Sequence, residues 1–100
     1  MKVLQVPTFP DALDRVMELR GSGGTIEIQE VCTYTIPAGA PRYMGPRRKV
    51  RIRPVRVEVP PSAPDLGVEP EGFLVVDADN PYANVYVRWE DLEHLKAMIE

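Results

Sequence analysis

The sequence has 100 residues, of which 44% are hydrophobic and 27% are charged, and its formal net charge is −3. This length suits one compact domain spanning 1–100 and is too short for two. No apolar run approaches the roughly 18–20 residues of a membrane helix, which excludes a membrane-spanning protein. The single cysteine excludes an internal disulfide framework and a cysteine-rich zinc site. The start of the chain is too short and interrupted for a signal peptide, so we expect a cytoplasmic protein.

A short strand and a helix come first in chain order. The strand is predicted over 2–6. Thr8 is a suitable helix N-cap, with Asp11 three residues later, and the helix extends over about 9–20. The glycines at 21–24 follow the C-terminal end of this helix, where exposed carbonyl oxygens repel phosphate, so they indicate a helix stop and not a phosphate-binding loop. The apolar residues of the helix form one stripe, which consists of Phe9, Leu13, Val16 and Met17.

Two long segments of alternating polarity follow, and they predict an antiparallel pair of strands. The segment 25–36 carries its apolar residues at even positions, with Glu30 as the outlier. The segment 49–59 changes phase midway, where Arg53 and Pro54 predict a bulge. That bulge would keep the apolar residues of both strands on one face. The predicted opposing pairs are Ile26 with Val59, Ile28 with Val57, Glu30 with Val55, Cys32 with Ile52, and Tyr34 with Val50.

The last third of the chain predicts two more strands and a second helix. A proline-rich surface crossover over 60–72 leads to strands over 73–76 and 85–89, and a helix follows over about 90–99. The predicted fold is therefore α+β. It consists of a mostly antiparallel, twisted sheet of four to five strands with two short helices, at about 9–20 and 90–99, packed on one face.

The charge distribution is the most unusual feature of the sequence. The segment 42–56 holds seven of the 12 basic residues and none of the 15 acidic ones, so it carries +7 while the rest of the chain carries −10. In the predicted pair, its strand places the cations on the face opposite the apolar one. The neighbours expected there are Thr35, Thr33, Val31 and Gln29, across from Lys49, Arg51, Arg53 and Arg56. The candidate binding residues are Arg42, Tyr43, Arg47, Arg48, Lys49, Arg51, Arg53 and Arg56.

Three interpretations of function follow from these features. The first is an interaction module that binds a protein partner, or another copy of itself, through the basic strand and its adjoining loop. The second is binding of nucleic acid or another polyanion by the same face, with Tyr43 available for stacking. The third is a small-molecule or enzyme pocket around Glu30, Cys32 and Tyr34, because a carboxylate on an apolar face is costly unless it is paired.

The first interpretation is the one we adopt as the prediction. No catalytic constellation can be assembled from the sequence, so we expect a module that is not an enzyme. We also expect no cofactor, no metal and no membrane association. Charge patterning is weak evidence by itself, which is why the other two interpretations, and that of an ordinary solvated surface, stay open at this point.

Overall fold

The computed structural model describes residues 2–38, 48–67, 70–79 and 85–99. The strands are β1 (Lys2–Val6), β2 (Gly24–Ile28), β3 (Tyr34–Ala38), β4 (Arg48–Ile52), β5 (Pro54–Val59), β6 (Gly72–Asp77) and β7 (Val85–Arg88). The α-helices are α1 (Phe9–Arg15) and α2 (Leu92–Met98). Short 3-10 helices occur at Val16–Leu19, Pro64–Leu66 and Trp89–Asp91.

Five of the strands form the main sheet, in the order β1-β2-β5-β6-β7. β1 lies parallel to β2, and the other neighbouring pairs are antiparallel. β3 and β4 form a separate antiparallel pair. The α+β fold class, with a mostly antiparallel sheet and two short helices, is thereby confirmed. Across the described ranges, no helix is long and apolar enough to cross a membrane.

The first helix begins where the sequence predicts, and its second half is a 3-10 helix instead of an α-helix. The Thr8 hydroxyl accepts a hydrogen bond from the backbone N–H of Asp11 at 3.2 Å, which satisfies a donor of the first turn. After α1 the chain continues as a 3-10 helix, in which residues three apart share a face. Val16 and Leu19 are therefore buried, whereas Met17, which we expected in the apolar stripe, is 49% exposed.

The glycine-rich segment after this helix is a helix stop, as predicted. Gly21 has a φ of 93°, the left-handed conformation that glycine adopts most easily. The backbone N–H of Gly23 donates to the carbonyl of Leu19 at 2.8 Å and so satisfies a terminal acceptor of the helix.

One apolar core connects the main sheet, the helices and the small sheet. Every strand of the main sheet contributes buried side chains, and α1 packs against β1, β2 and α2. The small sheet joins the same core through Ile36 on β3 and Ile52 on β4. The largest fully buried side chains include Phe9, Phe73, Leu13, Leu19, Ile26 and Leu95.

Each of the two long strands in the sequence prediction is in fact two strands, so that part of the prediction is wrong. β2 ends at Ile28 and β3 begins at Tyr34, because the intervening chain turns away from the main sheet towards the start of α1. Arg53 separates β4 from β5, which opens with Pro54. The predicted irregularity is at this place, and the β5–β6 register also shifts between Pro54 and Arg56. Proline has no N–H to contribute to a ladder, which favours a break here.

The predicted pairing register is also wrong, by two residues in each half. Ile26 lies opposite Val57 instead of Val59, and Tyr34 lies opposite Ile52 instead of Val50. Side chains alternate with a period of two, so a slip of two residues leaves every side chain on its original face. Within the regular strands, alternation therefore identified the buried faces while leaving the register undetermined. The expectation that Cys32 is buried on the same face is wrong, because the chain leaves the sheet between Ile28 and Tyr34 and the cysteine is exposed there.

Candidate binding surface

The structure divides the basic segment between two sheets. Arg48, Lys49 and Arg51 belong to β4 of the small sheet, and Arg56 belongs to β5 of the main sheet, with Arg53 at the junction. The predicted continuous cationic face is therefore interrupted where the chain passes from one sheet to the other. The other candidates, Arg42, Tyr43 and Arg47, lie outside the described residues.

Carboxylates of the same chain neutralise two of these cations. The Nη2 atom of Arg53 lies 2.8 Å from Oδ1 of Asp79. The Nε atom of Arg56 lies 3.1 Å from Oε1 of Glu58. In the observed register Arg56 faces Glu27 on β2, where the prediction has Gln29. The part of the predicted surface on β5 is thus a mixed-charge patch.

Arg51 is different, because it is exposed and no carboxylate lies within salt-bridge distance of it among the described side chains. It faces Thr35 on β3, where the prediction has Thr33, and Lys49 faces Pro37. Within the described ranges β3 is the strand that pairs with β4, so the other edge of β4 is open. Of the predicted basic surface, the part that remains is therefore the edge strand β4 with its cationic residues.

The third interpretation rests on Glu30, Cys32 and Tyr34, and the structure brings these side chains together. Oε2 of Glu30 accepts hydrogen bonds from the Tyr34 hydroxyl at 2.6 Å and from the backbone N–H of Phe9 at 3.0 Å. The Cys32 thiol is close enough to this carboxylate to help lower its pKa. The ring of Tyr34 packs on the ring of Phe9, with centroids 5.1 Å apart. We name these residues the Glu30 cluster.

The ionisation of the Glu30 cluster follows from its contacts. Partial burial alone would raise the pKa of Glu30, but the hydrogen bonds from Tyr34 and Phe9 and the nearby Cys32 thiol together outweigh it, so the pKa is lowered. Desolvation, together with the neighbouring carboxylate, raises the pKa of Tyr34 and that of Cys32. A thiol with a raised pKa is a poor nucleophile at neutral pH. The cluster is therefore suited to hold the start of α1 against the β2–β3 connection.

A cleft of about 380 Å³ lies beside Trp89 at one end of the sheet, and none of the sequence predictions corresponds to it. The Arg20 guanidinium lies over the Trp89 ring at 5.0 Å, and Phe73 packs against that ring at 5.2 Å. Sequence reasoning could not join Arg20 to Trp89, because they are distant along the chain and neither belongs to a motif. The cleft is lined by Arg20, Pro70, Glu71, Arg88, Trp89 and Glu90.

The charges in this cleft balance each other. Nη1 of Arg88 lies 3.2 Å from Oε1 of Glu90, and one further arginine and one further glutamate line the walls. Among the side chains that the structure describes, no group of three His, Cys, Asp or Glu residues could hold a metal ion. The comparisons with protein-family models, with curated proteins and with solved structures find no match for this chain.

Proposed function

We propose that this protein is a non-catalytic binding module that contacts an acidic protein partner through β4. The observation that carries the proposal is the edge of β4 to which no strand of the described residues pairs, on a strand that contains Arg48, Lys49 and the exposed Arg51. An open strand edge offers backbone donors and acceptors to an extended segment of a partner, and its side chains select that segment. Cations on the strand select acidic residues.

A protein partner is favoured over nucleic acid by the carboxylates of the neighbouring surface. Asp79 and Glu58 already pair with Arg53 and Arg56, and Glu27 lies opposite Arg56. A phosphate backbone tracking the whole basic segment would meet these carboxylates, which repel it. The cations of β4 alone suit a short acidic segment better than a long polyanion, whose binding needs many phosphate contacts. Nucleic-acid binding therefore becomes the alternative outcome of the test.

A second copy of the chain is disfavoured as the occupant of this edge. Edge-to-edge pairing of two β4 strands would bring Arg48, Lys49 and Arg51 of one copy close to the same residues of the other. Like charges on neighbouring strands destabilise the pairing, and charged edge strands deter self-association. The partner at β4 is thus expected to be a different, acidic chain.

The test measures binding of labelled probes by fluorescence anisotropy at low salt. The probes are a short peptide of alternating Glu and Val, the corresponding Lys and Val peptide, and single-stranded oligo(dT). We expect the acidic peptide to bind and the basic peptide not to bind. Arg51→Ala should lower the affinity for the acidic peptide by up to roughly fivefold, since an exposed ion pair contributes about 1 kcal/mol or less.

The matched control is Arg15→Ala, which removes one arginine from α1, where Arg15 pairs with Glu18 at 2.9 Å. It changes the net charge by the same amount as Arg51→Ala and should leave peptide binding unchanged. Equal losses in both variants would mean that the peptide senses only overall charge, and would overturn the assignment to β4. Binding of oligo(dT) without binding of the acidic peptide would replace the proposal with the nucleic-acid alternative.

A further inference from the structure

The strand edges of the two sheets differ in how well they are protected. Exposed edges invite pairing with another chain, and proteins blunt them with charges, prolines, bulges or covering elements. β4 carries cations, and β7 lies against β3. β1 is less protected within the described part of the chain: it is the outermost strand of the main sheet, its single charge, Lys2, is at one end, and no proline or bulge interrupts Lys2–Val6.

The direction of the backbone groups of β1 follows from its pairing with β2. The backbone N–H of Gln29 donates to the carbonyl of Val6 at 3.1 Å, so the backbone groups of Val6 point towards β2. Backbone groups alternate in direction along a strand, which turns those of Leu4 towards β2 and those of Val3 and Gln5 away from it. Val3 and Gln5 therefore present the donors and acceptors of the open edge.

We propose that β1 is a self-association edge, to which β1 of a second copy of this chain adds in antiparallel orientation about a two-fold axis at Leu4. In this register Val3 of each copy lies opposite Gln5 of the other. Both residues have outward-facing backbone groups, so each such pair exchanges two hydrogen bonds. The main sheet would then continue across the axis through the two β1 strands.

The side chains of β1 are complementary to themselves in this register. Val3, which is 57% exposed, comes to lie beside the exposed Gln5 of the second copy on the outer sheet face. On the core face, Leu4 lies opposite its own counterpart, and Lys2 lies opposite Val6. No like charges face each other, in contrast to the β4 edge. The strand contact is small, so we expect a weak dimer whose population rises with protein concentration.

Disulfide trapping tests the register directly. In a Cys32→Ser background, which removes the exposed native thiol, Val3→Cys and Gln5→Cys are prepared separately and then mixed under mild oxidation. Directly opposite residues have Cα atoms about 5.5 Å apart, which suits a disulfide. The Cα atoms of the two Val3 residues are offset by two residues along the strands, about 7 Å, and also by about 5.5 Å between the strands, so they lie about 9 Å apart. That distance exceeds the roughly 7 Å that a disulfide can bridge. We expect the mixed disulfide to form in large excess over either homodimer.

A pair of substitutions at Gln5 tests the association without a cross-link. Gln5→Pro removes the outward-facing N–H, and proline is tolerated on an edge strand at such a position. Gln5→Ala removes the same side chain and keeps the N–H. Light scattering over a range of concentrations should show dimer for the wild type and for Gln5→Ala, and monomer for Gln5→Pro, while circular dichroism shows that all three are folded.

Two results would overturn the proposal. One is a wild type that remains monomeric up to the highest concentration at which it stays in solution. The other concerns the yield of mixed disulfide from Val3→Cys and Gln5→Cys. The matched control is a mixture of Arg15→Cys and Gln5→Cys, which places one thiol on α1 and measures disulfide formation by random collision. A yield no higher than that of the control would overturn the proposal. Neither result bears on peptide binding at β4, so the two proposals are tested independently of each other.

Discussion

The Glu30 carboxylate joins two parts of the chain that are far apart in sequence. It accepts hydrogen bonds from the hydroxyl of Tyr34 at the start of β3 and from the first backbone N–H of α1 at Phe9. A carboxylate near the start of a helix is also favoured by the helix dipole. The charged residue that interrupts an apolar pattern thus fastens the chain where it leaves the main sheet.

Glu30→Gln is expected to destabilise the fold. The substitution removes the charge that strengthens these hydrogen bonds, and hydrogen bonds to charged groups contribute about 1.5–3 kcal/mol each. The amide oxygen still accepts one bond, so we expect the free energy of unfolding in urea to fall by about 1–3 kcal/mol. Glu27→Gln, which changes the same charge at the exposed position of β2, is the control and should change the free energy of unfolding by less than about 0.5 kcal/mol.

The stability difference between the wild type and Glu30→Gln should depend on pH. The pKa of Glu30 in the folded protein lies below its ordinary value of 4.5, so the stabilisation from the carboxylate is fully present above pH 4.5 and is lost as the pH falls through the folded pKa. Urea unfolding at a series of pH values should show a constant difference near neutrality that shrinks below pH 4.5. A difference that grows on acidification would contradict the lowered pKa.

At the scale of the elements, alternation of polarity predicted the faces of the strands but not where they end. Glu30 interrupts the apolar pattern, but only the hydrogen bond to Phe9 reveals that the chain changes sheet there. Pro54 did mark the second break, because a residue without an N–H disrupts a ladder whatever surrounds it. The parallel pairing of β1 with β2 and the cleft beside Trp89 depend on tertiary packing, which has no local signal.

Two glycines differ in what a larger side chain would meet at their positions. A Cβ atom at Gly72 on β6 would collide with the carbonyl oxygen of Val87 on β7, whereas one at Gly21 would meet no atom within 4 Å. Gly21→Ala therefore costs only the left-handed conformation, about 1–2 kcal/mol. Gly72→Ala must push two paired strands apart, so we expect its loss of unfolding free energy to be the larger of the two. Equal losses in thermal or urea unfolding would contradict the expected larger penalty for displacing β7.

At the scale of the whole molecule, the basic residues are concentrated in one part of the sequence while acidic residues dominate the rest. The segment 42–56 carries +7 and the remainder −10. The sequence predicted this separation fully, since it needs only the order of residues. It could not predict that Asp79 pairs with Arg53, because that contact depends on the folded register. Arg56 and Glu58 are two residues apart on one strand and share a face, so strand alternation alone is enough to predict their ion pair. The basic residues that form no ion pair within the described ranges therefore occupy a smaller surface than the sequence suggests.

The two proposed edges should respond differently to salt. The range of electrostatic attraction falls from about 10 Å at 0.1 M to about 3 Å at 1 M ionic strength, so added NaCl should weaken binding of the acidic peptide at β4. Pairing of β1 strands uses backbone hydrogen bonds between uncharged residues, so the dimer should persist at high salt. Anisotropy and light scattering over one series of NaCl concentrations measure both. A dimer that dissociates at high salt would instead indicate that the basic segment of one copy binds the acidic remainder of the other.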